Sequence, residues 1–206
     1  LSSRYRGLHH FFRQNFSQVT NPPIDSLRER HVMSLRTRLG NLGNILDEGP
    51  EQCEHLVLNS PVLTATEWDA LTRYLDDKAT EIDCSFENDG SDTNLPRALA
   101  RIQAEVEEAV RSGCEHVMLT DRNVCESRIP VPMVLATGAV HSHLVRQQLR
   151  TFASLNVASG ECLDVHHFAV LIGVGATTVN AYVAEAAITE RHERGLLPGM
   201  ELRYAI

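Results

Sequence analysis

The sequence predicts an α/β fold, specifically an incomplete, half (β/α) barrel-like domain with parallel strands and an N-terminal helical segment. Three observations lead to this prediction. From about residue 94 onward, helical and extended patterns alternate regularly. The connections between them are short, which favours right-handed βαβ units. The stretches "AVRSGCEHV" and "IGVGATTV" repeat one order of helix end, glycine and strand valine. About four such units would form half of a barrel.

The N-terminal segment is predicted to be helical on both sides of a rigid turn. The opening stretch "LSSRYRGLHHFFRQNF" places four apolar side chains on one helical face, namely Leu8, Phe11, Phe12 and Phe16. Pro22 and Pro23 are incompatible with a helix, so residues 20–25 should form a stiff turn. The following "SLRERHVMSLRTRLG" has Leu27, Val32 and either Met33 or Leu35 at helical spacing, which predicts a second helix ending at Gly40.

The next elements are short and carry clear boundary signals. "NLGNIL" is predicted to be a loop, and "EHLVLNSPVL" a short strand or extended piece closed by Pro61. Thr64 and Glu67 have the spacing of a capping box, so a helix should begin there. That helix should bury Trp68, Leu71 and Leu75. "TEIDCSFEN" alternates in hydrophobicity with the period of a strand.

The regular part begins with "LPRALARIQAEVEEAVRSG", whose apolar residues form one helical stripe from Leu95 to Val110, with Pro96 in the first turn and Gly113 as the stop. "CEHVMLTDR" then fits a buried parallel strand. A helix in "VPMVLATGAVHSHLVRQQLR" and a strand in "FASLNVASG" follow. Asp164 should cap the last helix, "VHHFAVLIGVG", before an extended "ATTVNAY". An open doubly wound sheet is the competing architecture. However, "GVGATT" ends a helix and lacks the G-x-G-x-x-G spacing of a nucleotide site.

Composition excludes several classes of partner and site. The formal charge of -8 and pI near 5.7 argue against nucleic acid, which clustered lysine and arginine would bind. The longest strongly apolar stretch, residues 129–140, is shorter than the roughly 20 residues a membrane span needs. Five cysteines without a C-x-x-C pair indicate neither a zinc module nor a disulfide framework. Because the chain begins at Leu1 and shows no leader pattern, we expect it to be part of a longer polypeptide.

The histidines raise the possibility of a metal-dependent hydrolase. In that interpretation His141 and His143 lie at a strand end, and Asp121 completes the site with His166 or His167. Against it, residues 134–149 favour one helix, on which positions two apart point about 200° away from each other. His166 and His167 follow the cap Asp164, at the positive end of a helix dipole, where neutral imidazoles bonded to loops or to a neighbouring domain are expected.

Asp121 and Arg122 follow a predicted strand, at the edge where barrels place their active sites. A structural ion pair in the strand-helix loop is the alternative for them. The catalytic signatures G-x-S-x-G and H-E-x-x-H, the Walker loop and the kinase motifs are absent from the sequence. We therefore assign no catalytic residue, no metal ligand and no cofactor-binding residue to this chain.

Three long motifs resemble the central domain of the large subunit of glutamate synthase: "VTNPPIDSLRERHVMSLRTRLGNLGNIL", "TDRNVCESRIPVPMVLATGAVHSHLVRQQLRT" and "ASGECLDVHHFAVLIGVGATTVNAY". The resemblance runs from Leu1 to about Tyr182 in the same order. It implies a domain for residues 1–182, and a helix and linker toward an FMN-binding domain for residues 183–206. It also implies a fold that is an incomplete relative of the (β/α) barrel of that FMN-binding domain, in agreement with the number of units counted above.

The resemblance implies a scaffold role. In that family the domain joins a glutamine amidotransferase to an FMN-binding domain, and ammonia passes between them through a tunnel. The FMN and an iron–sulfur cluster would lie outside this chain. The tunnel-lining or interface residues implied here are Thr20, Asn21, Pro22, Pro23, Ile24 and Asp25, and the weaker interface candidates are Asp121, Arg122, His166 and His167. A cytoplasmic location is implied, or a plastid for a ferredoxin-dependent parent. A stand-alone regulatory module remains a further alternative.

Overall fold

The computed structural model describes residues 7–13, 27–29, 33–47, 49–53 and 55–206 of the chain. The strands, numbered in chain order, are β1 (Thr37–Leu39), β2 (Leu56–Leu58), β3 (Ala79–Asp83), β4 (Ser85–Glu87), β5 (His116–Thr120), β6 (Arg128–Pro130), β7 (Ser154–Ala158) and β8 (Thr178–Asn180). The helices are α1 (Ala65–Leu75), α2 (Asn94–Arg111), α3 (Met133–Arg146), α4 (Val165–Gly173), α5 (Tyr182–Glu193) and α6 (Leu202–Ala205).

The central sheet has four parallel strands in the order β3-β5-β7-β8. Each strand pairs with the next strand of the sheet along the chain, and α2, α3 and α4 make the crossovers. A doubly wound sheet would reverse direction at a switch point, whereas this order does not. The predicted α/β class and the parallel barrel-like strand order are therefore confirmed.

The three crossover helices pack on one face of the sheet. Ile102 and Val106 of α2 are fully buried there, together with Val117 and Leu155 of the strands. The helical stripe read from the sequence is thus the buried face of α2. Each such aliphatic side chain contributes roughly 1.5–3 kcal/mol when it is fully removed from water.

The opposite face of the sheet is covered by α1 and the antiparallel β1–β2 pair. The predicted capping box is present, because the Thr64 hydroxyl accepts from Glu67 N and the Glu67 carboxylate accepts from Thr64 N. Trp68 and Leu71 of this helix are buried against Met118 of β5, as predicted. These N-terminal elements occupy the face on which a complete barrel would have its interior.

Polar side chains on this covered face fasten the N-terminal elements to the sheet. Ser154 Oγ accepts a hydrogen bond from Gly40 N at 2.9 Å, and Asn180 Nδ2 donates to Leu63 O at 2.9 Å. Thr178 Oγ1 donates to Asn156 Oδ1 at 2.7 Å. Each of the four strand side chains is buried, so these bonds satisfy groups that would otherwise be costly.

The outer edge of β8 is occupied by residues 61–63 of the same chain. Val179 N donates to Pro61 O at 2.8 Å, and Leu63 N donates to Val179 O at 2.9 Å. Val62 forms an isolated parallel bridge to Val179. Pro61, at which the extended segment was predicted to end, therefore lies against the outer edge of β8.

The N-terminal predictions are corrected in part. A short 3-10 helix covers Leu8–Phe12, and residues 27–29 are helical, but the helix predicted to run to Gly40 is wrong. Thr37–Leu39 is a strand instead, because its backbone pairs with Leu56–Leu58. Met33 and Leu35 are exposed, so the apolar period there does not mark a buried helical face. "TEIDCSFEN" also divides into two strands, β3 and β4, at Cys84.

The C-terminal region forms the predicted helix. Its first residue, Tyr182, and Glu185 both contact earlier parts of the chain through hydrogen bonds. In the part of the chain that the structure describes, no helix is both long and apolar enough to cross a membrane.

Candidate functional site

The carboxyl ends of the four parallel strands meet at one edge of the sheet, as the topology requires. Asp83 ends β3, Asp121 follows β5, Ser159 follows β7 and Asn180 ends β8. In (β/α) barrels this edge carries the active site.

Asp121 is the central residue of this edge and is 3% exposed. Its two carboxylate oxygens accept from Gly160 N at 3.0 and 2.9 Å, and Oδ1 also accepts from the Tyr182 hydroxyl at 2.9 Å. Burial raises the pKa of Asp121, while the bonds from Gly160 and Tyr182 act in the opposite direction. The carboxylate thus joins the ends of β5 and β7 to the beginning of α5.

A side chain at Gly160 would press against Tyr182 and Val183. A Cβ built on it would lie 2.9 Å from the Tyr182 hydroxyl and 3.2 Å from Val183 Cγ2. Burial, followed by the charge of Asp121, raises the pKa of the Tyr182 phenol. The phenol therefore stays protonated and serves as the donor in its bond to Asp121.

Arg122 is exposed and lies across two aromatic rings. Its guanidinium carbon is 4.9 Å from the Tyr182 ring centroid and 6.0 Å from that of Trp68. Nη2 donates to Asn180 Oδ1 at 2.9 Å. The hydrogen-bond partner of the Arg122 guanidinium is thus Asn180, whereas the Asp121 carboxylate bonds to Gly160 and Tyr182, so the two neighbouring side chains have different partners. Arg122 instead links the ends of β5 and β8 and covers α1.

Two carboxylates at this edge cap helices, and sequence reasoning missed both. Glu161 Oε2 accepts from Met133 N, the first residue of α3, at 2.9 Å. Glu185 Oε2 accepts from Ala65 N, the first residue of α1, at 2.6 Å. Such placement complements the positive end of a helix dipole. Burial raises the pKa of Glu161, the bond from Met133 N acts in the opposite direction, and the charge of Asp121 raises the pKa further. Neither residue has a motif spacing that could have revealed it, since its partner is remote in sequence.

A further cluster of hydrogen-bonded residues at this edge surrounds Arg128 of β6. Its Nη2 lies 2.7 Å from Asp83 Oδ2 and 2.8 Å from Ser85 Oγ. Arg101 of α2 donates to the carbonyl oxygens of Asp83 and Ser85 at 2.9 Å each. Together these bonds fix the β4–β6 pair beside the sheet.

His166 and His167 hold the N-terminal 3-10 helix against α4. His166 Nε2 lies 2.8 Å from the carbonyl oxygen of His9, so that nitrogen is the donor. The rings of His9 and His167 are 4.2 Å apart, and His167 Nδ1 accepts from Leu163 N at 3.0 Å. The predicted cap is confirmed, because Asp164 Oδ1 accepts from His167 N at 3.0 Å. His166 therefore bonds to the N-terminal 3-10 helix and His167 to the loop before α4, both within the same chain.

The histidines of the hydrolase interpretation are not brought together. His141 and His143 both lie on α3, where Arg150 Nε donates to His141 Nδ1 at 3.0 Å and His143 Nε2 lies 2.7 Å from Glu107 Oε2. Asp121 is engaged at the carboxyl edge. Within the described ranges, no three His, Cys, Asp or Glu side chains are arranged to bind a metal. The metal-dependent hydrolase alternative is therefore withdrawn. The predicted tunnel-lining segment, residues 20–25, lies outside the described residues.

Comparisons with known proteins agree on one family. A family model described as glutamate synthase central domain matches residues 1–205. The chain is 64% identical to the glutamate synthase [NADPH] large chain of Azospirillum brasilense, over 98% of this chain and 13% of that protein. It is 39% identical to a glutamate synthase [NADH] of Schizosaccharomyces pombe, over 100% of this chain and 10% of that protein. It is 40% identical to a chloroplastic ferredoxin-dependent glutamate synthase of Spinacia oleracea, over 89% and 12%. The chain thus spans between a tenth and about an eighth of the length of these relatives.

Proposed function

The chain belongs to the glutamate synthase central-domain family, and on that basis we propose that it is a non-catalytic scaffold within a glutamate synthase. In this proposal it links a glutamine amidotransferase domain to an FMN-binding domain and contributes to an ammonia tunnel between them. The parent reaction would convert L-glutamine, 2-oxoglutarate and a reductant into two molecules of L-glutamate. The reductant stays open, because the names of the relatives specify NADPH, NADH or ferredoxin.

The observation that supports a scaffold is that polar side chains at the carboxyl edge form hydrogen bonds within this chain. Asp121, Glu161 and Arg122 each bond to backbone or side-chain groups of this chain. A catalytic acid or nucleophile would instead be aimed at an open substrate position. These edge residues instead hold strands and helix ends in place through hydrogen bonds.

These residues do not fit the phosphate group of FMN. Asp83, Asp121 and Glu161 place three carboxyl groups at the edge where a barrel would bind a phosphate. The glycines of "GVGATT" lie at the other end of α4, and a Cβ on Gly175 would meet His141 at 2.6 Å. We propose that the FMN and the iron–sulfur cluster of the parent lie in other parts of the polypeptide. The chain expressed alone should bind no FMN, and a stoichiometric yellow complex would contradict this assignment.

The tunnel role rests on the sequence of residues 20–25. Two consecutive prolines restrict the backbone, and a rigid wall suits a channel that has to exclude water. We propose that this segment, comprising Thr20, Asn21, Pro22, Pro23, Ile24 and Asp25, lines the tunnel near the amidotransferase domain. Loosening it should allow ammonia to escape before it reacts.

The test is the coupling ratio of the intact protein that contains this chain. A Pro22→Ala/Pro23→Ala variant should consume more glutamine than the 2-oxoglutarate it aminates, and the difference should appear as free ammonia. Pro96→Ala is the matched control, since Pro96 is an exposed first-turn residue of α2. Coupling that stays at one glutamine per 2-oxoglutarate in the double variant would remove the tunnel proposal.

The remaining expectations concern contacts with the other domains. We propose that Arg122, beside Asp121, and the surface near His166 and His167 face neighbouring domains of the parent. We also propose that residues 183–206 lead toward the FMN-binding domain. A cytoplasmic location, or a plastid for a ferredoxin-dependent parent, follows from the same assignment.

A further inference from the structure

The strand β3 (Ala79–Asp83) lies at one edge of the central sheet, on the opposite side from β8. It pairs with β5, and among the described residues no strand pairs with its outer side. The strand β8 differs, because residues 61–63 occupy its outer edge. The half barrel is therefore covered at one edge and open at the other.

The register determines which backbone groups of β3 face outward. Cys84 N donates to Thr120 O at 2.8 Å, so the even-numbered positions of β3 face β5. Backbone hydrogen-bonding groups alternate in direction along a strand, and the odd-numbered positions therefore face away from the sheet. These positions are Ala79, Glu81 and Asp83.

Part of this outward edge is unpaired. Ala79 N donates to Asp76 O in the turn before β3, and Arg101 Nη2 donates to Asp83 O at 2.9 Å. In the part of the chain that the structure describes, the N–H and C=O of Glu81 have no hydrogen-bond partner, and neither have the C=O of Ala79 and the N–H of Asp83. Glu81 is also exposed. A strand edge with free donors and acceptors can accept a further strand.

A groove of about 650 Å³ lies beside this edge, between β3 and the C-terminal part of α2. Its β3 side includes Thr80, Glu81 and Ile82, and its α2 side includes Glu105 and Glu108. Side chains of a strand point alternately to the two faces of a sheet. The groove gives room for the side chains that an added strand would place on the α2 face.

The charges of the groove indicate what kind of strand it accepts. Lys78 is paired with Glu115 at 3.2 Å, and Glu105 is paired with Arg101 at 3.0 Å. Opposite charges on neighbouring strands stabilise their pairing, whereas like charges destabilise it. A basic segment is therefore favoured. Three further carboxylates that line the groove have no ion-pair partner among the described residues, namely Asp77, Glu81 and Glu108.

A second copy of this chain is a poor partner for the open edge. Pairing β3 with the β3 of another copy would bring two Glu81 side chains together. Pairing it with β8 of another copy is blocked, because residues 61–63 occupy that edge and Pro61 has no N–H with which to extend it. The central sheet of a second copy thus offers no suitable edge.

We propose that an extended, basic segment of the same polypeptide, outside residues 1–206, pairs with the open edge of β3 as a fifth strand. This inference rests on the proposed function, in which the chain is one part of a much longer protein. The segment would form backbone hydrogen bonds with the N–H and C=O of Glu81. A basic side chain of the segment would lie beside the carboxylates of Glu81 and Glu108.

The test is hydrogen exchange of the intact protein that contains this chain, resolved to single amides by mass spectrometry. The Ile82 N–H, which faces β5, is the reference for a paired amide. With a fifth strand present, the Glu81 N–H should exchange at least about tenfold more slowly than an unpaired amide. A smaller protection of the Glu81 N–H, beside a slow Ile82 N–H, would overturn the proposal. Protection that disappears on dilution would assign the edge to a second copy and would also overturn it.

A charge reversal on α2 tests the nature of the segment without altering β3. Glu108→Lys should speed exchange of the Glu81 N–H by about two- to fivefold, the effect of losing an exposed ion pair. A second peptide, the paired segment, should exchange faster in the same variant and should lie outside residues 1–206. Asp69→Lys is the matched control, since Asp69 is an exposed carboxylate of α1 outside the groove, and it should change neither rate.

Two outcomes of the variant would refute the proposal. An unchanged Glu81 N–H in Glu108→Lys would contradict a basic segment, and a second peptide within residues 1–206 would contradict its origin. Exchange rates do not depend on turnover. Failure of this pairing is therefore distinguishable from failure of the tunnel proposal, which the coupling ratio tests.

Discussion

Replacing Asp121 with asparagine should measure how much this carboxylate contributes to the free energy of unfolding. The carboxylate accepts bonds from Gly160 N and from the Tyr182 hydroxyl, and it is almost fully buried. In Asp121→Asn one oxygen is replaced by an NH₂ group, which cannot accept, and the charge is lost. A hydrogen bond to a charged group is worth about 1.5–3 kcal/mol. Removing a buried charge recovers part of this loss. We expect a net loss of about 2 kcal/mol in the free energy of unfolding, or roughly 4–8 °C in Tm.

The assay is urea denaturation of the chain, followed by the fluorescence of Trp68. This is the only tryptophan in the sequence, and it is buried beneath Arg122 on the covered face of the sheet. Tyr182→Phe should lose about 1 kcal/mol, and the double variant should lose less than the sum of the two single variants, because the residues share a bond. Asp92→Asn, an exposed change, should stay within about 0.5 kcal/mol of the unmodified chain. A free energy for Asp121→Asn equal to that of this control would refute the structural role of the carboxylate.

Three further predictions follow from described contacts. Burial and the neighbouring His167 and His166 lower the pKa of His9 to about 4, below its unfolded value of 6.5. As the pH falls from 6.5 toward 4, the unfolded state binds a proton at this histidine while the folded state does not. The stability that is present above pH 6.5 is therefore lost over this range. The loss should reach about 3 kcal/mol in a series of unfolding curves, and His9→Phe should flatten it. Gly175→Ala should cost about 3 kcal/mol or more in thermal unfolding, since φ is +124° and the new Cβ would lie 2.6 Å from the His141 ring; an unchanged Tm would contradict this contact. Thr64→Ala should cost about 1 kcal/mol in urea denaturation by removing the capping bond to Glu67 N, whereas Thr66→Ala, outside that bond, should not.

The regular second half of the chain was predictable because its signals are local. The stripe of α2, with Ile102 and Val106 at its centre, depends only on residues three or four apart. The cap at Asp164 and the glycine stop at Gly175 likewise depend on near neighbours. Tertiary packing agrees with these local preferences, so the elements form where the sequence places them.

The N-terminal half was less predictable because its structure depends on distant partners. Thr37–Leu39 becomes a strand through pairing with Leu56–Leu58, and Gly40 bonds to Ser154, 114 residues away. An apolar period through Met33 and Leu35 gave no sign of either contact. Local periodicity predicted a helix there, and non-local pairing determined a strand instead.

The candidate site was likewise predictable only in part. The rule that strand ends share an edge placed Asp121 and Arg122 correctly at the carboxyl edge. Their partners, Gly160, Tyr182 and Asn180, could not be read from spacing because they come from later strands and a later helix. Position along the sheet was therefore predictable, whereas the distinction between a reactive and a structural carboxylate required the three-dimensional contacts.

The segment along the edge of β8 affects how this domain can associate with other chains. A sheet that ends in a bare strand offers its backbone groups to any neighbouring strand, which leads to swapped dimers or aggregates. Here Pro61 and Leu63 already occupy the N–H and C=O groups of Val179. Proline also has no backbone N–H with which to continue the pairing outward. The half barrel can therefore end at β8 without recruiting a fifth strand from another molecule.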